Sequence, residues 1–139
     1  MTPRRRLVAI SSAQLAAGLA GMTVAVWRRR NYDLGFLRGR PEHVGRDSFL
    51  MGTGYSPPVY MFGVQLWAIR RLAAGPDDGA RRLLGMSGAV MAPGYLAEKY
   101  VRAPLRPGGW DPVETPVVAL SMALAAAMAV LGHQDASGR

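Results

Sequence analysis

The sequence predicts an all-α integral membrane protein, an antiparallel four-helix transmembrane bundle. Three observations carry that prediction. Four apolar stretches, at about 7–27, 56–74, 80–102 and 112–132, approach the length of a membrane span. Arginines cluster at their ends, as "RRR" at 4–6 and 28–30 and "RR" at 70–71 and 81–82, where basic side chains meet anionic headgroups. No stretch reads as a strand.

Segment 1, "LVAISSAQLAAGLAGMTVAVW", carries no charge and at about 1.5 Å per residue spans roughly 30 Å, the thickness of a hydrocarbon core. A signal peptide shares its basic start and small residues, but the run is long for one, and "RRR" follows it as a stop-transfer flank. Segment 2, "SPPVYMFGVQLWAIRRLAA", is expected to open on Ser56 as N-cap and Pro57 in the first turn, with Arg70 and Arg71 snorkelling at its far end. Segment 3 has a short apolar centre, and Pro93 is expected to kink it. Segment 4, "PVVALSMALAAAMAVLG", is expected to begin near Pro112, with Asp111 as N-cap and Glu114 at the third position, close to a capping box. Small residues four apart, Ala9, Ala13, Ala17 and Gly21 in segment 1 and Ala119, Ala123 and Ala127 in segment 4, allow close helix contact in lipid.

The chain has 139 residues, enough for a single domain spanning all of it. It lacks Cys and has only His43 and His133, so thiolate chemistry is excluded and no metal site is expected. The net charge of +8 is assigned to membrane flanks rather than to nucleic acid, because the cations border apolar runs instead of sharing one soluble face. Eight cations fall at one end of the bundle and nine at the other, so the charge bias does not orient the chain.

The two ends differ in another way. The end holding the loop after segment 1 and the junction of segments 3 and 4 collects six of nine acids and nine of eleven aromatics. A site is expected there. Glu98 lies near the C-terminal end of segment 3, where the helix dipole disfavours an anion, with Arg102 one turn on as its local offset. The short connection brings Glu98 and Glu114 near each other, two carboxylates in different surroundings that suit acid/base work, with Asp111 beside them. Tyr55, Tyr95 and Tyr100 are candidates to hydrogen-bond a substrate oxygen. Trp110 and Arg102 complete the binding set. Gln65, the strongly polar residue deep in segment 2, must find a partner in lipid and either ties helices together or orients a ligand. Several methionines, Met61 and Met91 among them, serve as core filler or as an adaptable pocket wall.

The expected function is a multi-pass protein of the cell membrane that binds or transforms a lipophilic small molecule, isoprenoid, sterol-like or polyketide. The chemistry would be cofactor-free acid/base work such as isomerisation, cyclisation or epoxide opening, making the chain an isomerase, cyclase or hydrolase. Membrane lipid is an expected partner, and a homodimer or a membrane complex a further one. Two alternatives stand beside it: a non-catalytic accessory subunit of a larger membrane complex, and a small dimeric proton-coupled transporter.

Overall fold

In the computed structural model, which describes residues 1–134, the regular elements are helices, and the extended pairing among the described residues amounts to two isolated bridges. Asp135 and Arg139, part of the charge count above, lie outside the described residues.

Helix α1 (Pro3–Trp27) begins with the Thr2 hydroxyl accepting from the Arg5 N–H at 3.3 Å and with proline in its first turn. Arg4, Arg5 and Arg6 therefore belong to the helix itself. A folded loop follows, containing a 3₁₀ turn (Pro41–His43) and a single-turn helix α2 (Val44–Asp47). Helix α3 (Val59–Ala74) starts later than expected. Ser56 does not cap it; the Ser56 hydroxyl pairs with Thr53 at 2.8 Å across a tight bridge. The first N–H of α3, on Val59, donates instead to the Ser48 carbonyl at 2.9 Å.

Helix α4 (Asp78–Ala97) is capped by Asp77, whose carboxylate accepts from the Ala80 N–H at 2.9 Å. It runs through Pro93, which has no N–H to offer the Ala89 carbonyl, and stops at Ala97. The expected span 80–102 is thus two helices, because a separate α5 (Lys99–Leu105) begins one residue later. Helix α6 (Glu114–His133) follows a connection around Gly108, which has φ 78°. The Asp111 carboxylate accepts from the N–H groups of Val113 and Glu114, each at 2.8 Å, while the Thr115 hydroxyl accepts from the Asp111 N–H at 2.9 Å. The reciprocal cap is therefore made by Asp111 and Thr115, and Glu114 is released from capping.

The long helices alternate in direction. Each packs against its neighbours around a square, α1 with α3, α3 with α4, α4 with α6 and α6 with α1. The α4–α6 contact is the closest. A Cβ added at Gly88 would lie 2.5 Å from the Ala125 carbonyl oxygen, and one at Gly85 would lie 2.9 Å from the Gly132 backbone. Small residues make this seam, as expected in kind but not in position. The buried line on α6 is Val118, Ser121, Ala125, Met128 and Gly132, whereas Ala123 faces outward and Ala119 and Ala127 lie at the edge. On α1, likewise, Ala17 and Gly21 are buried while Ala9 and Ala13 are exposed. A strict four-residue step advances about 400° around the helix and drifts off a face, while alternating steps of three and four stay on it.

Two helices, α1 and α6, are long and apolar enough to cross a membrane. Helix α3 has 16 residues, about 24 Å, and α4 carries Arg81 and Arg82 near its start.

Candidate functional site

The end rich in acids and aromatics holds two distinct arrangements. The first is a cavity of about 190 Å³ between the start of α3 and the second half of α4, roofed by the loop after α1. Pro58 and Met61 of α3, Val90, Met91 and Gly94 of α4, and Tyr95 form its walls, and Glu98 stands at its loop end. Val90 and Gly94 lie on the outer surface of the bundle, Val90 with 63 % of its surface exposed. The cavity therefore opens sideways between the helices.

Glu98 is placed by the break between α4 and α5. Its carboxylate straddles the Asp33 N–H at 2.9 and 3.0 Å and accepts from the Tyr100 N–H at 3.4 Å, capping α5. The expected ion pair with Arg102 does not form. Arg102 is exposed, and only its backbone N–H reaches the Glu98 carbonyl, at 3.2 Å. Because Glu98 begins a helix, the local backbone favours its charge. Burial nonetheless dominates and, with the nearby Asp33 carboxylate adding to it, pushes the Glu98 carboxyl up to about 7.

The second arrangement is a charged cluster where α1 ends and α6 begins. One terminal nitrogen of Arg28 lies 2.9 Å from both the Asp111 and the Glu114 carboxylates, and Arg30 Nε lies 3.5 Å from Glu114. The Arg30 guanidinium also sits over the Tyr100 ring, 5.1 Å from its centre. The Tyr55 phenol is buried beside Glu114 and Arg30 without a hydrogen bond of its own. Burial first, then the Glu114 carboxylate, raises its pKa. The Glu114 N–H on the Asp111 carboxylate, and after it Arg28, hold Asp111 down at about 2. Two carboxylates neutralised by two guanidinium groups form a structural joint.

The two carboxylates expected to work together thus belong to separate networks. Glu98 faces the cavity, Glu114 and Asp111 face the arginines, and the two networks touch through the Arg30–Tyr100 contact, Arg30 lying beside Glu114 and the Tyr100 N–H donating to Glu98. Trp110 is 71 % exposed. Gln65 lies on the bundle axis. Its amide donates to the Ser11 carbonyl at 2.9 Å and to the Gln14 side chain at 2.8 Å, and the Gln14 amide reaches the Tyr95 hydroxyl at a long 3.5 Å. This chain of amides ties α1, α3 and α4 together, the first of the two roles expected for Gln65. Gln14 was the missed partner, and its sequence signal was a lone amide inside an uncharged span. Arg28, Arg30, Asp33 and Thr53 were also not singled out. Their roles depend on how the loop folds back, which no spacing reveals.

Among the described residues no group of three or more His, Asp or Glu side chains is placed to hold a metal ion. Comparison with protein-family models, with curated proteins and with solved structures gave no match.

Proposed function

We propose that the chain is a four-span membrane protein that takes a small lipophilic molecule from the bilayer into the cavity between α3 and α4, with Glu98 as its proton-exchanging group. Packing supports the four spans. Helices α3 and α4 run antiparallel alongside α1 and α6, with Gln65 against Ser11 and Gly85 against Gly132, so a bilayer crossed by α1 and α6 encloses all four. Only 33 % of the apolar window of α1, and 33 % of that of α6, is buried within the chain, unlike the core helix of a soluble protein. Val64, Leu66, Trp67, Met86 and Leu96 of α3 and α4 are exposed as well, and lipid is the solvent that accepts them.

The observation that carries the ligand reading is the cavity itself. At about 190 Å³ it slightly exceeds the roughly 150 Å³ cavity that accommodates benzene. It therefore holds a ring or a compact head, with any longer chain trailing into lipid between α3 and α4. It contains one carboxyl rather than two, which supports binding and single-proton exchange over two-carboxylate catalysis.

Gly94 supplies the test. Gly94 lines the cavity and a Cβ added there meets nothing within 4 Å, so Gly94→Phe is chosen to place a ring at the cavity mouth. Native mass spectrometry of the protein extracted from its own membrane is expected to show a small molecule on the wild type and none on Gly94→Phe. A wild-type chain that emerges bare, or bound only to other proteins, overturns the proposal.

A further inference from the structure

We infer that the cavity's ligand is an amphipathic cation, held through its positive head by the Glu98 carboxylate and exchanged there for a proton. This inference rests on the reading of the cavity as a lipophilic-ligand site and adds the charge of the head.

The starting point is an imbalance. Asp33, Asp47, Asp77, Asp78, Asp111 and Glu114 each have an arginine or lysine within 4.0 Å. Of the other described carboxylates, Glu42 is exposed. Glu98 is 5 % exposed and has no cation. A buried carboxylate without a counter-charge is costly and is relieved by a proton or by a cation.

The charges around it do not supply one. From the loop, Asp33 adds a second carboxylate, 6 % exposed. Arg38, at 3.2 Å, and Lys99, at 3.7 Å, are both spent on Asp33. Arg30 is committed to Glu114 and to the Tyr100 ring. What remains facing the cavity is Glu98 with the rings of Tyr32 and Tyr95. Aromatic faces beside a carboxylate suit a positive, weakly hydrated head. The backbone N–H groups of Asp33 and Tyr100 use three of the roughly four acceptor positions of the carboxylate, leaving one for the ligand.

Competition with the proton follows. With the Glu98 carboxyl pushed up to about 7, the ionised form that holds a cation dominates above neutrality, and the protonated form below it. When the cation enters, the Glu98 proton leaves to water, and the charge of the site is conserved.

The experiment uses the full chain in lipid nanodiscs, with empty nanodiscs as the blank, and isothermal titration with two probes of equal chain length. Decyltrimethylammonium has a fixed charge, so any pH dependence belongs to the protein; decanol is its neutral counterpart. The expected result is that decyltrimethylammonium binds at pH 8 and weakens on the order of tenfold at pH 6, that decanol shows no such change, and that Glu98→Gln removes the pH dependence. Equal binding of both probes with no pH dependence in the wild type overturns the cation while leaving the lipophilic site standing, and needs no variant to fold. Heat from neither probe beyond that of empty nanodiscs overturns the cavity reading as well.

Discussion

Arg29 shows how one backbone angle builds the charged joint. Its φ is 53°, the single positive value at a non-glycine position among the described residues. The Arg30 N–H returns to the Ala25 carbonyl at 2.7 Å and the Arg29 N–H to Val26 at 3.2 Å, which is the Schellman closure of a helix. Glycine normally occupies that position. Here the left-handed turn lets Arg28 and Arg30 approach the same Glu114 from consecutive turns of chain, while Arg29 points outward. The Cβ of Arg29 carries a strain of about 1 kcal/mol. Arg29→Gly is therefore expected to leave the stability unchanged or raise it by up to about 0.5 kcal/mol, once the flexibility of glycine in the unfolded chain is subtracted, and a thermal melt in detergent checks it; a lower midpoint would contradict the assignment. At this scale "RRR" was legible as the basic end of an apolar run, but the division of labour among its three members was not. It depends on a turn that arginine does not advertise. The same limit applies to Glu98. Its local sequence suggested a pair with Arg102, whereas the helix break turned it into a cap and a cavity wall.

Among the elements, the seam between α4 and α6 sets the tightest tolerance. Gly88 lies against the Ala125 carbonyl and the Ala129 backbone, so a larger side chain must separate the two helices. Gly88→Val is expected to destabilise by about 1–3 kcal/mol. Gly94→Ala, on the same helix but facing open space, is expected to leave the midpoint unchanged or raise it, since alanine is the better helix former. Melting the two variants side by side separates seam packing from helix propensity. The four long helices were legible because apolar length and flanking charge survive any detail of packing. Their ends were less so. The start of α3 is fixed by Ser48, eleven residues away in sequence, and the end of α4 by the loop residue Asp33, to which Glu98 turns. The small-residue faces were legible as a tendency and misplaced in register, because a period of four is not the period of a helix face.

Across the whole molecule, one end is a partly exposed ionic joint and, next to it, a sideways-opening cavity with an unpaired acid. The amide chain of Gln14 and Gln65 holds the middle, and Leu7, Leu72 and Leu84 are buried in the other half. The concentration of acids and aromatics at one end was legible from composition and from the alternation of helices. The sorting of those residues into joint and cavity was not, since it required the fold of the loop between α1 and α3. The central claim is that this cavity faces lipid and fills from it. The absence of cysteine from the chain makes the direct measurement clean: a nitroxide on Gly94→Cys, and another on Val90→Cys, in lipid bilayers, with collision rates read by electron paramagnetic resonance. The account predicts that both labels collide more with dissolved oxygen than with a water-soluble nickel chelate, and that the preference deepens from 94 to 90. A preference for the nickel chelate at both positions would place the cavity in water and contradict the account.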